Sequence, residues 1–116
     1  MGHLIYGSGI EYDIEDRTLA HAKVAIGMKL RRGEAFFVSW PNPVSKGSGR
    51  VSIWLSPNIP LVFRFAGSRV PELNQTWVNV LHDLSNTSRG LVLLSEKEAE
   101  AYAAQRAQDG AQPQFE

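Results

Sequence analysis

The chain has 116 residues, of which 43% are hydrophobic and 21% are charged, so its length and composition are those of one globular domain with a core of its own. It contains no cysteine, which excludes disulfides, thiolate metal sites and cysteine nucleophiles and fits a reducing cytoplasm. No stretch approaches the roughly 18 apolar residues of a membrane span, and the N-terminus lacks the pattern of a leader, so we expect a cytoplasmic protein without a membrane partner.

The formal net charge is zero, but the charges are unevenly distributed along the chain. Residues 1–16 carry four acidic side chains and no Lys or Arg, residues 17–69 carry nine basic side chains against Glu34 alone, and residues 70–116 carry seven acidic and three basic side chains. The three segments therefore have charges of −4, +8 and −4. This asymmetry indicates either an anionic partner such as nucleic acid, or a fold in which the acidic ends neutralise the basic middle.

The N-terminal third predicts a β-hairpin followed by a helix. The stretches HLIYG and IEYDI have the pattern of two short strands joined by a Gly-Ser-Gly turn. The helix would have Asp16 as its N-cap and Gly33 just beyond its C-terminus. Its apolar side would be formed by Leu19, Ala22, Ile26 and Leu30. Cations that complement the helix dipole would lie on the solvated surface of its last turn, namely Lys29, Arg31 and Arg32.

Three β-prone runs follow, AFFVSW, RVSIWLS and PLVFRF, which alternate with period two and are separated by turn-rich segments. They predict an antiparallel meander with one apolar face that needs a cover. A second helix over residues 70–86, with Pro71 in its first turn, would supply that cover. Its apolar stripe would be Val70, Leu73, Trp77, Val80, Leu81 and Leu84.

The end of the chain predicts a strand, LVLL, and a C-terminal helix opened by the capping-box pattern of Ser95 and Glu98. Together the elements predict an α+β fold: a mainly antiparallel sheet of four to six strands, two principal helices packed on one face, and a short C-terminal helix. We assign residues 1–95 to a single domain and residues 96–116 to a helical extension and a disordered tail.

A candidate binding surface follows from the strand alternation. Trp54 points away from the apolar side of its strand, Arg50 lies on the same face, and Arg64 takes the corresponding face of the strand expected beside it. An exposed sheet face with a ring and cations suits single-stranded nucleic acid. We therefore expect a noncatalytic nucleic-acid-binding surface that also includes nearby loop and helix-end cations: Arg31, Arg32, Lys46, Arg50, Trp54 and Arg64. An interface between two copies of the chain at Trp54 is the alternative.

Other chemistry-bearing residue types have structural interpretations. The stretch SKGSGR does not match a phosphate-binding loop and favours a hairpin turn. The three histidines are far apart and lack the spacing of metal ligands, so His21 is expected to be a structural residue beside the core. No serine lies in a G-x-S-x-G pattern. We therefore expect neither a cofactor nor a metal.

Several stretches taken together, LIYG, EDRTLAH, KLRRGEAFFVSW, SIWLSPNIPLVFRF and PELNQTWV, resemble a family of small actinobacterial proteins of about this length, over roughly residues 1–95. Many members of that family carry the label ATP-dependent DNA ligase. Such ligases attach AMP to the lysine of a KxDG motif, and each lysine here is followed by a different triplet. These are Lys23 before VAI, Lys29 before LRR, Lys46 before GSG and Lys97 before EAE. The resemblance therefore implies an accessory that works near DNA, without ligation by this chain.

Overall fold

A computed structural model describes residues 1–42, 47 and 49–108 of the chain. In chain order the elements are β1 (Gly2–Tyr6), β2 (Ile10–Ile14), α1 (Asp16–Arg31), β3 (Phe36–Pro41), β4 (Arg50–Leu55), β5 (Leu61–Arg64), α2 (Gln75–Ser85), β6 (Leu91–Val92) and α3 (Glu96–Gln108). The α+β class is confirmed. Lys46 and the predicted tail beyond residue 108 lie outside the described residues.

The six strands form two three-stranded sheets, with the orders β2-β1-β5 and β4-β3-β6. The hairpin of β1 and β2 is confirmed. Among the strand pairs of the described residues, only that of β3 with β6 is parallel. The predicted antiparallel meander of β3, β4 and β5 is wrong, because β5 pairs antiparallel with β1 instead of β4. Alternation determines which side chains share a face of a strand but not which strand lies beside it. Pro57 and Pro60, in the connection after β4, also have no N–H to continue a ladder.

One buried apolar cluster joins both sheets to the helices. Leu4 of β1, Val38 of β3 and Ile53 of β4 contribute the inward side chains of the sheets. The predicted stripe of α1 is confirmed at Leu19, Ala22 and Ile26, all fully buried, while Leu30 is partly buried against the cluster. Helix α2 contributes Trp77, Val80, Leu81 and Leu84. Burial of these side chains is the main favourable contribution to folding.

Helix α1 begins one residue earlier than predicted, because its N-cap is Glu15 and not Asp16. The Asp16 carboxylate instead accepts hydrogen bonds from the backbone N–H groups of Ala66 and Gly67, at 3.0 and 2.9 Å. These two bonds stabilise the ionised form and lower the pKa of Asp16. The interaction joins the start of α1 to the segment that follows β5. At the other end, Gly33 has a φ of 76° and ends the helix as predicted.

Lys29 is buried, although the sequence placed it on a solvated surface. Its Nζ donates to Asn86 Oδ1 at 2.9 Å and contacts Glu34 Oε1 at 2.7 Å. The ammonium also lies 5.7 Å from the centroid of the Phe36 ring. A cation in an apolar site needs such partners, and here they connect the end of α1 to the residue that follows α2.

Helix α2 begins at Gln75, five residues later than predicted. Asn74 is its N-cap, and its side-chain oxygen accepts a hydrogen bond from Trp77 N at 3.3 Å. An N-cap of this kind contributes about 1 kcal/mol to helix stability. Val70 and Leu73 therefore precede the helix, and both side chains are exposed instead of lying on the stripe.

His21 has the structural role that the sequence predicted. Its ring is buried and stacks on Trp77 with the ring centroids 4.2 Å apart. Nε2 accepts the backbone N–H of Asn74 at 2.8 Å, which leaves Nδ1 to donate to the Arg17 carbonyl oxygen at 2.8 Å. Both ring nitrogens are thus satisfied by backbone groups, one from α1 and one from the start of α2.

Glu96, at the start of α3, completes a polar cluster that also includes Arg17, His21 and Asn74. Arg17 donates through Nε and Nη2 to the two Glu96 oxygens, at 2.9 and 2.8 Å, and Asn74 Nδ2 donates to Glu96 Oε2 at 2.8 Å. The two donors, Arg17 above all, lower the pKa of Glu96 from 4.5 to about 2. The carboxylate therefore holds α1, the start of α2 and α3 together.

The C-terminal helix docks mainly through polar contacts, since Ala99 is its one buried residue among those described. The capping box is confirmed, because Ser95 N donates to Glu98 Oε1 and Glu98 N donates to Ser95 Oγ. Near the other end, Arg106 pairs with Asp83 of α2 at 2.7 Å. In the part of the chain that the structure describes, no helix is both long and apolar enough to cross a membrane.

Replacing Glu96 by Gln should lower the free energy of unfolding in a pH-dependent manner. A depressed pKa in the folded protein contributes stability that is present above the unfolded pKa of 4.5 and is lost as the pH falls towards about 2. The difference between the wild type and Glu96→Gln should therefore be full near neutral pH and shrink below about pH 4.5. Urea denaturation followed by circular dichroism over that pH range measures it.

The matched control is Glu72→Gln, which removes a charge from the same region without breaking a side-chain hydrogen bond of the described residues. It should change stability little at any pH. A constant difference for Glu96→Gln down to acid pH would contradict the role of its carboxylate.

Candidate functional site

The β4-β3-β6 sheet has one apolar side and one exposed side. Val38 and Trp40 of β3 point into the core, as do Ile53 and Leu55 of β4. The alternate residues of the two strands point the other way and pair directly across the ladder. We call them the outer face, which consists of Phe37 opposite Trp54, Ser39 opposite Ser52, and Pro41 opposite Arg50.

An exposed aromatic pair lies at one end of the outer face. Phe37 is 48% exposed and Trp54 is 45% exposed, and their rings meet edge to face with centroids 5.0 Å apart. The prediction that Trp54 points outward is confirmed. The Tyr6 hydroxyl donates to the Trp54 carbonyl oxygen at 2.7 Å, which holds the edge strand β4 against the other sheet. Two large rings on a held backbone form a ready platform for a planar ligand.

A cavity of about 490 Å³ lies at the other end of the outer face. Its walls are formed by Ser39, Trp40, Pro41, Arg50, Arg89 and Val92. The Ser39 and Ser52 hydroxyls are 2.9 Å apart, so one donates to the other and the acceptor retains a proton that it can donate elsewhere. Among the described residues, the lining therefore combines two arginines and a serine with apolar residues and includes no acidic residue.

Arg89 reaches the cavity because of the turn that follows α2. Thr87 donates through both its backbone N–H and its hydroxyl to the Leu84 carbonyl oxygen, and Gly90 N donates to Thr87 O at 3.0 Å. Gly90 has a φ of 84°, and a Cβ there would lie 2.7 Å from the Phe37 carbonyl oxygen. Only glycine permits this approach, which holds the turn against β3.

Two of the predicted site residues, Arg50 and Trp54, lie on the outer face. They are four residues apart on β4, or about 13 Å at roughly 3.3 Å per residue. Sequence reasoning missed Phe37, which the register places opposite Trp54, and Arg89, which arrives from a separate turn. The exposed position of Phe37 was readable from alternation against Phe36, whereas no local pattern pointed to Arg89.

Arg64 does not lie beside Trp54, because β5 belongs to the other sheet. Its register partner is His3 of β1, and its Nη2 lies 3.3 Å from Glu11 Oε1 of β2. Since a carboxylate from the acidic N-terminal segment compensates its charge, Arg64 faces a different and partly neutralised surface.

The remaining predicted cations are not brought to the outer face by the described residues. Arg31 and Arg32 are exposed at the C-terminus of α1, and Arg32 Nε is 3.9 Å from Glu34 Oε2. Neither lines the cavity. Lys46 lies outside the described residues, so its position relative to the site stays a prediction.

Carboxylates from the acidic ends of the chain neutralise part of the basic middle segment. This was one of the two explanations that the sequence left open for the uneven charge. Glu96 pairs with Arg17, and Glu11 pairs with Arg64. Over residues 1–42, 47 and 49–108, neither Arg50 nor Arg89 has a carboxylate within ion-pair distance. The uncompensated positive charge at the cavity is therefore a local property of the folded chain.

The fold and this surface define a small α+β domain with an exposed aromatic and cationic sheet face. Residues 1–96 match the family described as a domain of unknown function, DUF7882, and the chain belongs to this family. The matched range includes the outer face and both arginines of the cavity. Neither a curated protein nor a solved structure matches the chain.

Trp54 should account for most of the fluorescence that a soluble quencher can reach. Trp40 and Trp77 are only 7% and 1% exposed, compared with 45% for Trp54. We expect Trp54→Phe to remove most of the acrylamide-quenchable emission, whereas Trp40→Phe should leave it in place. Equal quenching in the wild type and Trp54→Phe would contradict the exposed position of the ring.

Replacing Gly90 by Ala should destabilise the protein by about 2–4 kcal/mol, because the substitution adds a clash with the Phe37 carbonyl group to an unfavourable positive φ. Gly33→Ala is the matched control, since its φ is also positive but its added Cβ would meet no atom within 4 Å. The control should lose only about 1–2 kcal/mol. Urea denaturation compares the two, and equal losses would show that the approach of Gly90 to β3 is not a tight constraint.

Proposed function

We propose that the protein is a noncatalytic module that binds single-stranded nucleic acid on the outer face of the β4-β3-β6 sheet. The observation that carries the proposal is the combination of the exposed Phe37 and Trp54 rings with a cavity whose two arginines have no carboxylate partner among the described residues. Rings on a sheet stack with bases, and arginines bind the phosphates that join them.

A single strand fits this surface better than a duplex. The stacking faces of the bases are covered by neighbouring base pairs in a double helix, so rings such as Phe37 and Trp54 can use them only when the bases are unpaired. Base-ring stacking contributes about 1–3 kcal/mol per base and tolerates any base, so we expect weak sequence preference. Arg50, further along β4, would contact the backbone of the same strand.

The ligase label of the resembling family has no support from the residues here. None of the four lysines lies in a KxDG motif. Lys29 is in addition buried and bonded to Asn86 and Glu34, so its amine is not available as a nucleophile. A DNA-associated accessory role remains compatible with the proposed binding surface, because such a role needs affinity and not catalysis.

The test is fluorescence anisotropy with labelled DNA and RNA single strands of about 15 nucleotides, titrated from about 50 mM salt upwards. We expect Trp54→Ala to weaken binding roughly tenfold through lost stacking. Arg50→Ala should weaken binding and reduce the slope of log affinity against log salt by about 0.7, the value for one contact to a single strand.

Lys23→Ala is the control, because Lys23 is an exposed cation of α1 that is not part of the outer face. Its affinity and salt slope should match those of the wild type. No binding to either strand at about 50 mM salt would overturn the proposal. A dimer by light scattering that Trp54→Ala dissociates, without nucleic-acid affinity, would instead identify the outer face as an interface between copies.

A further inference from the structure

The cavity at the end of the outer face is lined by two positively charged side chains, Arg50 and Arg89. Arg50 arrives from β4 and Arg89 from the turn after α2, so the fold brings to one cavity two arginines that are 39 positions apart in sequence. Within residues 1–42, 47 and 49–108, no acidic side chain lines the cavity and no carboxylate pairs with either arginine. Both arginines are exposed and line one cavity, so an anion bound there would interact favourably with each of them.

The number of charges favours a particular kind of phosphate. An internal phosphodiester of a nucleic acid carries one negative charge, whereas a phosphomonoester carries about 1.5–2 at neutral pH and has three acceptor oxygens. Two planar guanidinium groups can bind those oxygens through paired hydrogen bonds, and the Ser39 hydroxyl can add a further donor. The cavity therefore matches a phosphomonoester better than a link within a strand.

The apolar part of the lining strengthens this preference. Trp40, Pro41 and Val92 form the rest of the described lining, beside the two exposed arginines. At about 490 Å³ the cavity is larger than a phosphate group alone needs. The additional room between apolar side chains suits the sugar and base that carry the phosphate.

The cavity also lies within reach of the terminus of a strand bound at the aromatic pair. On the described ladder of β3 and β4, the pair of Pro41 and Arg50 lies two outward-facing pairs away from Phe37 and Trp54. A strand stacked on the aromatic pair and directed along β4 would reach the cavity with a terminus. We propose that the cavity binds the terminal phosphomonoester of a nucleic-acid strand held on the outer face. This inference rests on the proposed function, because it concerns the end of the same bound strand.

The experiment compares internally labelled single strands of one sequence that carry a 5′ phosphate, a 3′ phosphate or no terminal phosphate. One of the phosphorylated strands should bind about tenfold more tightly than the unphosphorylated strand, as expected for charge-assisted hydrogen bonds to one group. The two phosphorylated strands distinguish which end enters the cavity. Excess inorganic phosphate should remove the preference.

Arg89→Ala should abolish the preference, so that strands with and without a terminal phosphate bind this variant with equal affinity. Arg89→Lys should retain part of the preference, since lysine keeps the charge but not the fork of donors. Arg69→Ala is the matched control: Arg69 is an exposed arginine outside the cavity, and its loss should change nothing.

The possible failures are distinguishable. Equal affinity for phosphorylated and unphosphorylated strands, still weakened by Trp54→Ala, would overturn the cavity assignment and leave the proposed function in place. A preference that persists in Arg89→Ala would also overturn it, because the phosphate would then be bound elsewhere. Absence of binding to all three strands would overturn both proposals.

Discussion

The arrangement of the helices depends on the hydrogen-bonded groups around Asn74. This residue caps α2 with its side-chain oxygen, donates its backbone N–H to His21 of α1 and donates its amide to Glu96 of α3. Arg17 completes the cluster through two bonds to the same Glu96 carboxylate. Since Asn74 and Glu96 each link two helices through these bonds, the cluster specifies one relative placement of three helices that apolar packing alone would specify less sharply.

That placement also positions the candidate site. Once α2 is held by its N-terminus, its C-terminal turn meets β3, and Gly90 allows the backbone to approach Phe37 closely. The same turn carries Arg89 to the cavity that Arg50 lines from the opposite strand. The interactions that stabilise the helices therefore determine, at a distance, which cation joins the outer face of the sheet.

Charge pairing then separates structural cations from available ones. Arg17 and Arg64 come from the strongly basic middle of the chain, but carboxylates from the two acidic ends compensate them. Lys29 is likewise bonded within the core. Arg50 and Arg89 have no such partner in the described part of the chain, so their charge is the part that a ligand can use. The strongly basic segment, residues 17–69, thus contains the cations that are bonded within the fold. It also contains Arg50, one of the two arginines of the candidate site.

Local patterns determined the α+β class, the β-hairpin, the stripe of α1, the capping box of α3 and the outward direction of Trp54, because each depends on residues close together in sequence. They could not determine that β5 pairs with β1, because alternation fixes the face on which a side chain lies but not which strand lies beside it. The prediction that Arg64 lies near Trp54 was wrong for this reason. The start of α2 was also misjudged, because Asn74 is chosen as its cap by contacts with His21 and Glu96. Only the tertiary structure brought Arg89 to Arg50, because that proximity arises from packing between a turn and a strand far apart in the chain.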